Sequence, residues 1–349
     1  MDLTNHCGNR RERRDDGRRV IAFAMRFFLA FVLFAVAVIR CDVSAAQPSL
    51  GRPRIGLLLA ASDANAAELE AFRTGLSENG IVPDKDVQLA VRYSAPDQGP
   101  GEDPASELSR MSATVLIGSS LREVLALKRA LPRTPIVMVA VGDPIATGLA
   151  ESLERPGGFV TGLSDFRADY ADARLAILGD LLPGRRRFGF LYNPDAPTVN
   201  ITEQAALRRG ILLVPLPART PGEIDAVLAD ARNSPMDAIL VVPFPASFQK
   251  RRGIGEWASA RNLPLMFGYA EFMDLPDEIG GIAAYGTDLL DLYRRAAGYA
   301  AAILRGADVS ELPIRRPEKA NLVLNLGVAR RLGITIAEDV MRRADRVIP

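Results

Sequence analysis

Cysteine and histidine are almost absent from this chain of 349 residues: Cys7, Cys41 and His6 are the whole supply, and all three lie in the first 46 positions. If that segment is removed on export, neither a thiol nor an imidazole remains. This excludes disulfides, Cys/His zinc sites, a cysteine nucleophile and any mechanism that needs an imidazole base. Oxygen-ligand chemistry by Asp and Glu survives the exclusion, but no motif asks for a metal or a cofactor. An excess of either charge is lacking too. With 43 Lys+Arg against 42 Asp+Glu, the formal charge is +1 and gives no reason to expect nucleic-acid binding. Catalytic signatures are missing as well: there is no GxSxG, Walker A or HExxH, and no GxGxxG following a strand. Gly99-Pro100-Gly101 sits in a loop that leads into no helix. Two carboxylates distant in sequence could still meet as in a glycosidase, but nothing in the spacing pairs them.

What the chain does have begins with one long apolar run. Residues 1–26 are polar and Arg-rich, and Phe27–Ile39 follows as thirteen uninterrupted apolar residues. That is short for a membrane span of about 20 residues and right for the core of a signal peptide. Val43-Ser44-Ala45-Ala46 supplies the small residues for cleavage. Met25 offers an alternative start, and Arg18-Arg19 a poorly matching twin-arginine pair. A retained anchor and lipidation at Cys41 are the weaker readings, since Arg40 stands where lipidation expects a small residue. Removal of residues 1–46 takes away eight arginines and five acidic residues and leaves a formal charge of −2. The expectation is a protein exported to the periplasm.

A composition of 48% hydrophobic and 24% charged residues is that of a globular protein, and the length allows two domains. From residue 54 the chain alternates apolar runs with helical patterns. The first set predicts strands at Ile55–Ala60, Val87–Tyr93, Thr114–Ile117 and Ile136–Val141, with a helix capped by Asn65 and another, Leu121–Leu131, opened by a Ser120/Glu123 capping box. The second set predicts strands at Phe188–Tyr192, Leu212–Val214, Ile239–Val242 and Leu265–Phe267. Its helices fall at about 168–182, 201–209, 221–233 and 247–261, the third opened by Thr220-Pro221-Gly222-Glu223. An amphipathic helix at about 288–305 and a tail with a strand at Leu322–Leu324 and two short helices complete the pattern. The fold class is therefore α/β, with two doubly wound parallel-sheet lobes joined by a hinge of several crossings. The divisions are a leader over 1–46, a first lobe over 47–163 to which about 287–312 returns, and a second lobe over 164–286. Residues 313–349 pack on the second lobe or across the hinge.

In open parallel sheets ligands bind past the C-terminal strand ends. The residues there are Ser62 and Asp63, Ser119 and Ser120, Asp143, Asn193, Phe244 and Tyr269, with Tyr285 at a crossing. Ser120 also reads as a helix cap, Asp143-Pro144 and Asn193-Pro194 as turns, and Tyr285 as hinge packing. Phe244 is held in a loop by Pro243 and Pro245, which favours ligand stacking over core. Trp257 reads as core.

Val141-Gly142-Asp143-Pro144, Gly148-Leu149, Ser152-Leu153, Arg155-Pro156-Gly157-Gly158 and Thr161-Gly162 form a wording that resembles the ABC transporter substrate-binding proteins of the tryptophan/tyrosine type. Tyr192-Asn193-Pro194, Tyr285 to Leu289, Arg294 to Tyr299, Ile303 to Gly306, Leu312-Pro313-Ile314, Leu322 to Leu326 and Ala344 to Ile348 extend the likeness over residues 53–349. The resemblance implies a type I periplasmic-binding-protein fold whose two lobes close on a small ligand, without turnover. It also implies a monomer that delivers to a membrane permease with its ATPase. The family's ligand positions carry over to Ser62, Ser119, Ser120, Asp143, Asn193, Phe244, Tyr269 and Tyr285 as matching loops. For an amino-acid ligand, Ser119 and nearby helix amides would take the carboxylate, and Asp143 or Asp288 the ammonium. Phe159 in place of Asn, Pro243-Phe244 in place of a more polar strand end, and the unplaced Phe166-Arg167-Ala168-Asp169 depart from the pattern. Competing readings are a periplasmic sensor signalling to a membrane receptor and a two-domain α/β enzyme.

Overall fold

The computed structural model describes residues 51–60, 65–94, 103–165, 167, 169–196 and 198–349. The leader, Ser62, Asp63, Phe166 and Ala168 lie outside the described residues. β1 (Arg54–Ala60) is apolar from Ile55 onward, and Ile55, Leu57, Leu58 and Leu59 are at most 1% exposed, as a central parallel strand covered on both faces requires. α1 (Asn65–Glu78), β2 (Gln88–Ser94), α2 (Pro104–Ser109), β3 (Val115–Gly118), α3 (Leu121–Ala130), β4 (Ile136–Val141) and β5 (Val160–Ser164) complete the first lobe. Its sheet has the order β2-β1-β3-β4-β5, all parallel.

Two of these elements were not foreseen. α2 starts at Asp103, whose side chain accepts from the Ala105 amide at 3.3 Å, with Pro104 at the first helical position. β5 falls where the sequence suggested only a boundary, because Gly162 interrupts its pattern. The glycine has φ +127, and a Cβ there would lie 2.3 Å from the Met138 carbonyl oxygen of β4. A glycine inside a strand thus marks a close backbone approach.

The second lobe holds α4 (Asp169–Leu181), β6 (Arg187–Tyr192), α5 (Thr198–Arg208), β7 (Leu212–Pro217), α6 (Pro221–Asp230), β8 (Ala238–Val241), α7 (Pro245–Gln249), α8 (Arg251–Ser259), β9 (Leu265–Phe267) and β10 (Ala283–Gly286). α6 opens as its sequence indicates: the Thr220 hydroxyl accepts from the Glu223 amide at 3.2 Å, while the Glu223 carboxylate accepts from the Arg219 amide at 3.0 Å. β7 runs three residues past its expected end, through Pro215 and Pro217. It pairs only with β6 at the edge of the sheet, where a missing N–H leaves no inner ladder broken.

After β10 the chain returns as α9 (Leu289–Leu304), which packs on α1 and on β3, β4 and β5 of the first lobe. Contact with α1 is close: a Cβ on Gly75 would lie 2.0 Å from the Arg294 carbonyl oxygen and 2.9 Å from Ala297 Cβ. Leu312 and Arg315 then run beside β5, Thr161 Oγ1 donating to the Leu312 carbonyl at 2.6 Å and Arg315 N to the Gly162 carbonyl at 3.0 Å. β11 (Asn321–Asn325), α10 (Leu326–Arg331), α11 (Glu338–Arg342) and β12 (Arg346–Ile348) follow. β11 and β12 join the second sheet, order β12-β11-β10-β9-β8-β6-β7, in which only the β10–β11 pair is antiparallel.

The chain therefore passes between lobes three times, after β5, before α9 and before β11, and side chains lace the crossings together. Arg167 donates to the carbonyls of Pro317 and Glu318, both at 3.1 Å. Tyr170 OH and Thr287 Oγ1 share a hydrogen bond of 3.0 Å. Arg174 Nε donates to the Tyr285 carbonyl at 2.8 Å and its Nη2 to the Gly268 carbonyl at 3.2 Å. Trp257 is half-buried rather than core: its Nε1 donates to the Leu228 carbonyl at 2.7 Å, and the Arg261 guanidinium lies 4.2 Å from its ring centre.

Candidate functional site

The C-terminal strand ends of both sheets converge on a cavity of about 860 Å³. Ala60 ends β1 there, Ser119 follows β3, Gly142 follows β4, Asn193 follows β6, Val242 follows β8 and Tyr269 follows β9. This is the location that open parallel sheets reserve for ligands, here supplied twice.

On the first-lobe wall, Ser119 Oγ accepts from the Ala60 amide at 2.8 Å and is also a hydrogen-bond partner of the Tyr293 hydroxyl, together with Glu68. Burial and the neighbouring Glu68 hold the Tyr293 hydroxyl well above the usual phenol range. Ser120 lines the cavity and stands at the N-cap position of α3 as the sequence suggested, but its side chain makes no capping hydrogen bond. Its hydroxyl donates instead to Glu123, which also accepts from Ser94 Oγ at 2.5 Å. Glu123 is 1% exposed, and a carboxylate so far from water must collect every donor in reach. Asp143 lines the rim, its Oδ1 accepting from the Ile145 and Ala146 amides at 3.0 and 3.1 Å in an Asx turn.

The second-lobe wall is aromatic. Phe244, Phe248, Tyr269 and Phe272 face the cavity, with Phe248 and Phe272 edge-on at 4.6 Å and Tyr269 and Phe272 at 6.0 Å. Phe244 caps the short α7, its amide donating to Ser247 Oγ at 3.0 Å. Asn193 turns its Oδ1 to the Asp195 amide at 3.0 Å, and Asp195 holds Arg219 at 2.8 Å on the rim.

Of the residues singled out in the sequence, Ser119, Ser120, Asp143, Asn193, Phe244 and Tyr269 share this cavity; Ser62 lies outside the described residues. Tyr285 is off the wall, its ring edge-on to Tyr170 at 5.8 Å. Asp288 is off it too. It caps α9 by accepting from the Asp291 amide at 2.9 Å.

Sequence reasoning missed the cluster at the floor of the cavity, where the first crossing leaves β5. The Tyr269 hydroxyl donates to Asp165, and both line the cavity with Tyr170 and Arg174. Desolvation pushes the Asp165 carboxyl above its ordinary value, against the pull of the Tyr269 hydrogen bond and the Arg174 charge. Burial, then the facing Asp165, hold the Tyr269 hydroxyl well above the usual phenol range. Arg174 is 7% exposed. Its head is spent on backbone carbonyls, its guanidinium lies 5.4 Å from the Tyr170 ring centre, and desolvation lowers its pKa. One signal was available, since an arginine at position 174 sits on the buried face of α4 among Tyr170, Ala171, Leu175 and Leu178.

Among the described residues, no group of three or more Asp, Glu, His or Cys could hold a metal ion, and no helix is long and apolar enough to cross a membrane.

Known proteins resemble this chain over most of its length. A tyrosine-binding protein of Clostridioides difficile (strain R20291) is 22% identical over 266 residues, 73% of each chain. A conserved domain protein from Vibrio cholerae is 25% identical with a TM-score of 0.75, covering 85% of this chain and all of its own. An ABC domain from Streptococcus pneumoniae, solved in complex with L-Trp, is 23% identical with a TM-score of 0.76 and the same coverage. The two-lobed architecture is that of the type I periplasmic binding proteins. The family described as ABC transporter substrate binding protein matches residues 58–348. The chain belongs to that family, whose members bind solutes and are not enzymes.

Proposed function

We propose that the cleft binds a free α-amino acid with a large, aromatic side chain and closes over it without chemical change. The observation that carries this reading is the Asp165–Tyr269 pair, a desolvated carboxylate open to the cavity beside an aromatic wall. A ligand ammonium at Asp165 would replace lost hydration with an ion pair, which a neutral sugar cannot do. We assign the ammonium to Asp165 rather than to Asp143, whose Oδ1 serves two turn amides, or Asp288, which caps α9 away from the cavity. The ligand carboxylate meets Ser119, Ser120 and the first-turn amides of α3, where the helix dipole favours an anion. Phe244, Phe248 and Phe272 receive the side chain. The tyrosine-binding relative and the tryptophan-bound neighbour support the same ligand class.

Contacts to both walls exist only when the lobes approach, and that difference in affinity shifts the open–closed balance. Residues 1–46 act as an export signal, the protein works in the periplasm as a monomer, and the closed form docks on the permease of an ABC importer.

A thermal-shift panel of aromatic and aliphatic amino acids, small carboxylates, purines and sugars tests the ligand class. An aromatic amino acid at 100 times its Kd stabilises by about 2.7 kcal/mol, several degrees in Tm. Stabilisation by sugars with none by amino acids contradicts the reading.

A further inference from the structure

Glu271 belongs to the 3₁₀ turn Ala270–Met273 of the second lobe, which packs on β9, β10 and β11. Its carboxylate reaches out of that lobe. Oε1 accepts from the amides of Leu289 at 2.8 Å and Leu290 at 3.3 Å, the first two residues of α9, and α9 is packed on the first lobe. Glu271 is thus a side-chain tie between the lobes at the second crossing. Its neighbours Tyr269 and Phe272 line the ligand cavity, as does Leu289 at the other end of the tie.

The other oxygen has a different fate. Glu271 Oε2 is buried without a hydrogen-bond partner, a state that strongly disfavours the ionised form. Asp288 caps the same helix end, so two carboxylates share one helix N-terminus. The remaining groups offer no compensation. Asp291 in the first turn of α9 is engaged by Arg294 at 2.6 Å and Arg295 at 3.6 Å. Tyr269, on Glu271's own segment, is itself raised in part by the Glu271 charge. β10 carries Tyr285, turned to Tyr170, while β9 and β11 carry no titratable side chain. Burial, then the Asp288 charge, push the Glu271 carboxyl up to about 7.

We propose that Glu271 is the positioning residue that sets the open–closed balance of the cleft, and that closure takes up one proton at this carboxylate. The ionised form holds the α9 amides while its second oxygen needs water; closure removes that water and favours the protonated form. Ligand affinity therefore tightens as pH falls through neutrality. The proposal concerns the hinge and rests on the closing motion of the preceding section, not on which ligand drives it.

Two measurements on the exported protein and its Glu271→Gln variant test it between pH 5.5 and 8.5. X-ray scattering of the ligand-free protein is expected to give a smaller radius of gyration at the acid end in the unmodified protein and a constant value in the variant. Titration with L-tryptophan is expected to give a Kd several-fold lower at pH 5.5 than at 8.5, with the dependence lost in the variant. Asp288→Asn keeps a capping side chain and removes the neighbouring charge, so the midpoint should move to lower pH. A pH-independent radius of gyration in the unmodified protein, or an unchanged dependence in Glu271→Gln, overturns the proposal. Failure of L-tryptophan, L-tyrosine and L-phenylalanine alike to bind at any pH overturns the ligand reading alone, and scattering then decides the hinge.

Discussion

Replacing Asp165 with Asn is expected to weaken binding of a zwitterionic amino acid by about 100-fold, roughly 2.7 kcal/mol, while leaving the fold intact. The amide has nearly the shape of the carboxylate, and its carbonyl oxygen can still accept from Tyr269. What it lacks is the charge that an ammonium group needs once it leaves bulk water. Stability moves the other way. Desolvation holds the Asp165 carboxyl above its ordinary value, so the native state gives up its proton less readily than the unfolded chain. The ionised carboxylate therefore costs stability that is absent at low pH and appears as pH rises through the raised value. Asp165→Asn removes that cost and should melt at or slightly above the unmodified protein at neutral pH. Calorimetric titration with L-tryptophan and a thermal melt check the two halves; affinity within three-fold of the original contradicts the role given to Asp165.

Arg174→Met has the larger structural consequence. The methionine keeps most of the buried stem, so the loss isolates the guanidinium. Its departure strips charged donors from the Tyr285 and Gly268 carbonyls and removes the cation whose charge acts on Asp165. Hydrogen bonds to charged groups contribute about 1.5–3 kcal/mol each, and a buried partner left alone adds its desolvation cost. The expected loss is about 3–5 kcal/mol in denaturant unfolding, centred on the second crossing. A loss under about 1 kcal/mol would mean that the crossings are held by their backbone alone.

The architecture was legible where apolar runs were long and caps were local. β1 reads as buried on both faces because no polar residue interrupts Ile55 to Ala60. α6 reads from Thr220-Pro221-Gly222-Glu223 because its capping chemistry lies within four residues. β5 was hidden by Gly162, and the ends of β7 by prolines that only an edge strand tolerates. At the site, the strand-end rule led to Ser119, Asn193 and Tyr269, each a few residues past an apolar run. It missed Asp165, the residue directly after β5, because Gly162 hid that strand, and nothing local announces its partner Tyr269, 104 residues away. Nor could it tell that Ser120 serves Glu123 rather than the α3 amides, since burial of Glu123 depends on the sheet packed around it. Glu271 was silent for the same reason: its tie to Leu289 exists only because α9 returns to the first lobe.

The most direct test compares L-tryptophan with N-acetyl-L-tryptophan and with tryptamine in one calorimetric series. N-acetyl-L-tryptophan keeps the carboxylate and loses the ammonium; tryptamine does the reverse. If Asp165 meets the ammonium and the α3 N-terminus the carboxylate, L-tryptophan binds and each analogue is weakened by about 100-fold or more. Equal binding of L-tryptophan and its N-acetyl form would contradict the account, because the Asp165 carboxylate would then have no part in recognition.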